Sequence, residues 1–275
     1  MIQATVRARG PYSLRISARR DEFRAALPGG EGLAWQRPDG SLLLRAPDEP
    51  GVELLRFMLA VDDDHTEFVR RFRGDALLGP TIRNLSGLRP LRLPTVAQAV
   101  LRAICGQLIE ARRARAIERA VIRACGEPVP TRERIGALSP ADLRRLGLAT
   151  HRASALVRLC RTVYLERLRT LPIAAVEARL LRERGFGPWS LGVVALEGLG
   201  SYRHGLVGDL SLVKLQSALK GRWVELDETA ELLEPYKEWA GLAGVYLLRD
   251  WRAGLVPGAN ADVARAVRVA ARRAA

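Results

Sequence analysis

The sequence predicts an α+β protein, with a small N-terminal antiparallel sheet carrying helices and an all-helical region beyond it. Three observations predict this. β-Forming residues cluster over 5–17 and 33–46, and Pro38, Asp39 and Gly40 between Trp35 and Leu42 are strong hairpin punctuation. Apolar residues then fall at helical spacing over 52–61 and around Phe68 and Phe72, which places helices on the sheet. Beyond Thr95 strand signals nearly vanish: Val100, Leu101, Ile104 and Leu108 share one helical face, and Ile117, Val121 and Ile122 share another.

Taken in order, the first part ends near residues 90–94, giving an N-terminal domain over 1–92 and a helical domain over 93–257. Ser139, Pro140 and Asp142 supply the N-cap, first-turn proline and acidic first turn of a helix start. Further helices are expected over 153–167, 173–183, 189–199, 210–220, 228–234 and 238–252. The tail over 258–275 is alanine-rich and basic, with Arg265, Arg268, Arg272 and Arg273, and reads as a helix or a frayed end. Asp62, Asp63 and Asp64 lack the glycine and distal glutamate of an EF-hand loop, so a solvated helix start is expected there.

The chain has 275 residues, enough to bury a real core, and carries 44 Lys plus Arg against 30 Asp plus Glu, a net charge of +14. Such a surface attracts polyanions. Biased codon usage is the competing explanation, because only Lys214, Lys220 and Lys237 supply lysine and arginine fills the other basic positions. Cys105, Cys125 and Cys160 are widely spaced among apolar neighbours and read as buried thiols. His65, His151 and His204 make no ligand-spaced pair with them, so neither zinc nor any other metal is indicated. The N-terminus lacks an apolar signal core, and no stretch approaches the roughly 18 apolar residues of a membrane span. A soluble, cytoplasmic protein without a membrane partner is expected.

The most informative stretch runs over 180–190, where Gly185-Phe186-Gly187-Pro188-Trp189-Ser190 ends one helix and starts another. Two glycines two apart allow a sharp reversal and a close approach of backbone amides to a partner. Pro188 suits a first helical turn, and the free N–H groups there suit a phosphate contact blind to sequence. A purely structural corner would use the same glycines. Farther on, Gly208-Asp209-Leu210-Ser211-Leu212-Val213-Lys214 sets an acid just ahead of an apolar helical pattern, where Asp209 reads equally as an ordinary N-cap.

In order and spacing, the Gly-Phe-Gly-Pro-Trp-Ser hairpin, the Ala-Leu-Glu-Gly-Leu run after it and the Gly-Asp-Leu-Ser-Leu-Val-Lys segment resemble the hairpin and catalytic aspartate of the helix-hairpin-helix DNA glycosylases. Upstream, the run from Leu101 to Ile109 resembles that superfamily's Arg-Ala-Ile-x-Gly-Gln helix, with Glu110 where a serine is usual. Gly147-Leu148 with Arg152-Ala153 resembles a further family segment. Downstream, Trp239 to Ala243 with Tyr246 and Leu247 resembles the closing helix of the 3-methyladenine DNA glycosylase II branch. The likeness covers about residues 90–252, and the N-terminal sheet matches that branch's extra domain in position and size.

The resemblance implies a helix-hairpin-helix core acting on double-stranded DNA with damaged bases, one base flipped out at a time. Asp209 becomes the carboxylate that stabilises charge on the deoxyribose as an alkylated purine departs. Bifunctional relatives carry a nucleophilic lysine where Trp189 stands, so a monofunctional enzyme without lyase activity is implied. The iron-sulfur cluster of some relatives needs four cysteines, and this chain has three, none after Cys160; no cofactor is expected. Gly185, Phe186 and Gly187 form the DNA anchor, while Gln107 and Leu108 match residues that probe the duplex, Leu108 being the wedge. Trp189 matches an aromatic wall of the base pocket. Leu108 and Trp189 each have a competing reading as core residues. Val193, Leu210 and Leu248 stand where that branch has further pocket aromatics, which leaves open a preference for oxidised or deaminated bases. A DNA-binding or damage-sensing protein without chemistry is the other alternative, and monomeric action is the default.

Overall fold

The computed structural model describes residues 1–107 and 109–274. Its sheet is four-stranded and antiparallel in the order β1-β4-β3-β2, from β1 (Ile2–Val6), β2 (Glu22–Leu27), β3 (Gly30–Gln36) and β4 (Leu42–Ala46). The β3–β4 hairpin closes as its residues predict: Gly40 takes φ 81°, and Asp39 Oδ1 accepts from the Ser41 amide at 3.0 Å. One face of the sheet packs Ala34, Leu42, Leu44 and Ala46 against Val52, Leu55 and Met58 of α2 (Glu49–Met58). The sequence expectation differs ahead of β2. Residues 5–17 do not continue as strand, because Gly10 and Pro11 interrupt it and Ser13 caps a short helix, α1 (Leu14–Ala18), with its hydroxyl accepting from the Ile16 amide.

Helices α3 (Thr66–Phe72) and α4 (Leu78–Asn84) follow in sequence, yet Phe68, Phe72, Leu78 and Ile82 share a core with Leu212, Leu242, Tyr246 and Leu247. The remaining helices surround a second core: α5 (Val96–Gly106), α6 (Ala111–Ala124), α7 (Arg132–Ala137), α8 (Pro140–Arg145), α9 (Thr150–Thr162), α10 (Ile173–Leu180) and α11 (Pro188–Val193). Ser139 and Asp142 form the reciprocal capping box of α8. The first core is closed by α12 (Leu210–Lys220), α13 (Thr229–Leu233) and α14 (Ala240–Ala253), and the basic tail is helical as α15 (Ala261–Ala274). Among the described residues no helix is long and apolar enough to cross a membrane.

Two expected helices change pitch. The stretch expected over 153–167 is α9 followed by a 3-10 turn (Leu165–Thr170), and Glu166 in that turn accepts from the Val96 and Ala97 amides, each at 3.1 Å, at the start of α5. The helix expected over 189–199 widens into a π-helical turn (Val194–Leu199). There Glu197 pairs with Arg102, which also holds Glu118 at 2.9 Å, so one guanidinium ties α5 to α6 and to the turn.

The aspartate triplet is not a uniformly solvated helix start. Asp62 pairs with Arg56 at 2.7 Å, and Asp64 accepts from the Thr66 amide at 2.8 Å. Asp63 is drawn inward by the buried Arg92 and the Tyr202 hydroxyl, a contact that joins the sheet side to the helices. Beside it His65 is 1% exposed, and neither ring nitrogen has a hydrogen-bond partner among the described residues. Burial and the nearby Arg89 lower its pKa from 6.5 to about 4, against the opposing pull of Asp63 and Asp64. Folding therefore holds His65 neutral, whereas the unfolded chain binds a proton below 6.5. Its contribution to stability is present above that pH and is lost as pH falls toward about 4. Thermal melts across this window should show Tm falling with pH, and His65→Phe should flatten that part of the dependence. An unchanged slope in the variant would assign the effect elsewhere.

Candidate active site

Three chain segments converge on one opening. The first is the end of α5, where Gly106 is followed by Gln107; the second is the start of α11 with Trp189; the third is the start of α12 with Asp209. Asp209 is the N-cap of α12, and its Oδ1 accepts from the Ser211 amide at 2.8 Å. The other oxygen, Oδ2, accepts from the Trp189 indole N–H at 3.3 Å. The helix cap and the contact with the indole are thus divided between the two oxygens of one carboxylate. The turn before it is fixed as well: Gly208 takes φ 85°, its amide donates to Thr229 Oγ1 at 2.7 Å, and the Asp209 amide donates to the Leu206 carbonyl at 3.0 Å.

Trp189 is half-buried, and the rim of its ring lies across the last residue of α5. A Cβ built on Gly106 would fall 2.5 Å from Trp189 Cη2, so only glycine leaves room for the ring where it now reaches Asp209. Gln107 binds the hairpin from the same side, its Nε2 donating to the Gly185 carbonyl at 2.7 Å and to Ser190 Oγ at 2.9 Å.

The hairpin itself divides its glycines. Gly185 has φ 85°, which requires glycine, whereas Gly187 is extended at φ −103° and ψ −175°, so the reversal rests on the first alone. A Cβ at either position would meet nothing within 4 Å. The space in front of both glycines is open, as an approaching backbone would need. Exposed Arg184 stands within the hairpin, and Arg112 and Arg113 in the first turn of α6 are exposed as well.

No family model matches the chain. In sequence it is 26% identical over 206 residues to a DNA-3-methyladenine glycosylase of Bacillus subtilis (strain 168), covering 69% of this chain and 68% of that protein. In structure it is similar to 3-methyladenine DNA-glycosylase from Archaeoglobus fulgidus, with a TM-score of 0.78 at 17% identity, covering 90% of this chain and 98% of that one. It is also similar to the Clostridium acetobutylicum 8-oxoguanine glycosylase/lyase, solved with double-stranded DNA containing cytosine opposite 8-oxoguanine, with a TM-score of 0.73 at 15% identity over 89% of this chain and 93% of that one. The chain has the helix-hairpin-helix DNA glycosylase fold.

Within that glycosylase fold the remaining expected site residues fall into two groups. Leu210 is 47% exposed immediately beside Asp209, available to a ligand. Val193, Phe186 and Leu248 are each 5% exposed; the first two pack in the core around α5, and Leu248 packs with Leu212 and Phe68 in the other. Phe186 therefore offers the opening its backbone rather than its ring. Leu108 lies outside the described residues.

A cavity of about 470 Å³ lies between Glu177, Pro188, His204 and Lys237. Neither Asp209 nor Trp189 lines it. Its lining mixes Glu177 and Glu234 with Arg203, His204 and Lys237 among apolar side chains. Among the described residues no group of three or more His, Cys, Asp or Glu could hold a metal ion.

Sequence reasoning assigns no role to Gly106 or Ser190, which the structure places against Trp189 and Gln107. A glycine inside an otherwise apolar helix, at the end nearest a loop, is the signal available for the first. For Ser190 the sequence carries none, because its partner is 83 residues away.

Proposed function

We propose that the protein is a monofunctional DNA N-glycosylase that removes alkylated purines of the 3-methyladenine kind from duplex DNA in base excision repair. The observation that carries this reading is the Asp209 carboxylate, held by the Ser211 amide and the Trp189 indole at the same opening as the glycine hairpin. The names of the Bacillus and Archaeoglobus proteins support the lesion class.

The target nucleotide must leave the stack for its sugar to reach Asp209. As the C1′–N bond breaks, its electron pair goes to the departing base and positive charge develops on the deoxyribose. A fixed carboxylate beside the sugar favours charge on the sugar more than it favours the ground state, in which the sugar is uncharged, and this lowers the barrier. An alkylated purine already carries a positive charge and leaves without prior protonation. Water then adds at C1′, and Asp209 is placed to take its proton. Gln107 and the hairpin backbone position the duplex, Trp189 and Leu210 border the base, and Val193 and Leu248 are assigned to the wall of the base pocket. Leu108 is assigned the role of wedge in the vacated stack.

A reading as an enzyme for oxidised bases draws on the shared fold of the Clostridium glycosylase/lyase. The observation against a lyase is Trp189 itself, whose indole nitrogen donates to Asp209 and cannot form a Schiff base. Incubating the protein with duplexes carrying alkylated, oxidised or deaminated bases, with and without borohydride, tests both points. Free alkylpurine with no trapped protein–DNA adduct is expected. Release confined to 8-oxoguanine, or a trapped adduct, would overturn the proposal.

A further inference from the structure

We infer that α15 is a second contact for the DNA backbone, in which Arg268, Arg272 and Arg273 take phosphates flanking the site at Asp209. The inference rests on the glycosylase reading and deepens it. Helix α15 has four arginines and one acid, Asp262, in fourteen residues. Ala264, Val267 and Ala271 turn inward, at the i, i+3, i+7 spacing of one helical face, while all four arginines are exposed. Arg265 is occupied by Asp262 at 3.1 Å, but among the described residues no carboxylate pairs with Arg268, Arg272 or Arg273. Arg268 and Arg272 are four apart and so share a face, and the Arg268 guanidinium is steadied over the Trp223 ring at 5.7 Å.

Placement gives this charge its target. Helix α15 packs on α12, and a Cβ on Gly258, just ahead of it, would lie 3.8 Å from Leu219 near the C-terminal end of α12. Helix α15 thus starts beside the C-terminal end of α12 and packs on that helix. Fourteen residues span about 21 Å against about 16 Å for α12, so a helix laid back along α12 is long enough to bring Arg272 and Arg273 level with the end that carries Asp209 and exposed Leu210. Lys214 on α12 adds a further exposed cation on that stretch. Guanidinium groups suit phosphate oxygens by their fork geometry, and a row of them follows a backbone without reading bases. An acidic protein segment would suit the same charge, but the neighbouring carboxylate and hairpin favour DNA.

The test compares the full-length wild type with R272Q/R273Q and R268Q/R272Q/R273Q for binding to a duplex about two helical turns long with a central abasic-site analogue, over a salt series. Glutamine keeps the helix, and the double variant leaves Arg268 over Trp223, so removal of charge is separated from loosening of the helix. The slope of log affinity against log salt should become shallower by about 0.9 for each phosphate no longer neutralised, with affinity at low salt falling tenfold or more in the triple variant. Wild type and variants with superimposable salt curves would overturn the inference and leave the glycosylase reading standing. Wild type that fails to bind the duplex at all would overturn both.

Discussion

Asp209→Asn is expected to slow base release by on the order of 10²–10³-fold while duplex binding stays within about twofold of wild type. Asparagine caps a helix as well as aspartate does, so α12 should keep its start and the Ser211 amide its acceptor. With its one amide oxygen kept on the Ser211 amide, its NH2 group faces the Trp189 indole N–H, so that hydrogen bond is lost. The negative charge that the proposed mechanism sets against the sugar disappears with it. Removing one well-placed electrostatic group costs on the order of 10²–10³ in rate, or about 3–4 kcal/mol of barrier. Single-turnover rates and equilibrium binding on the same duplex check it. A fall in binding equal to the fall in rate would instead mark Asp209 as a structural residue.

Gly106→Ala should have the second-largest effect, although Gly106 is assigned no contact with DNA. The new Cβ would meet Trp189 Cη2 at 2.5 Å, which is too close for the ring to stay where it is. Because the indole N–H donates to Asp209, moving the ring moves the carboxylate's partner and the border of the base site together. A displacement of about 1 Å at such a site costs up to about 10²-fold in rate. Gly106 lies at the helical end of α5 without a positive φ, so alanine is tolerated by the backbone and the fold should survive. Trp189→Phe removes both the clashing atom and the donor. It should slow base release by about tenfold on its own, and Gly106→Ala should add little in that background, a non-additivity expected of residues in contact. Full additivity of the two effects would contradict the arrangement.

The order of sheet and helices was legible because hydrophobic period and turn chemistry agree there: Pro38, Asp39 and Gly40 close the β3–β4 hairpin, and 210–220 has the bounds of α12. Asp209 was legible in the same way, as an acid standing ahead of an apolar helix. β2 gave no signal of its own, since its pattern is weak and it is held by pairing with β3 and by Glu22 accepting from the Trp35 indole at 2.9 Å. The inward role of Asp63 depends on Arg92 and Tyr202, which are 29 and 139 residues away, so no local pattern could disclose it. The glycine hairpin was half legible: the sequence marked both glycines, but only the backbone distinguishes Gly185, which needs a positive φ, from Gly187, which does not. Gly106 shows its role only when Trp189 is folded over it.

The decisive measurement is release of free base by the wild-type chain from a duplex carrying a single alkylated purine. Free alkylpurine should appear in the supernatant, with a strand that stays intact until alkali opens the abasic site. Binding of that duplex without release of base would contradict the assignment of Asp209 as a catalyst, and would leave a DNA-binding protein built on a glycosylase fold.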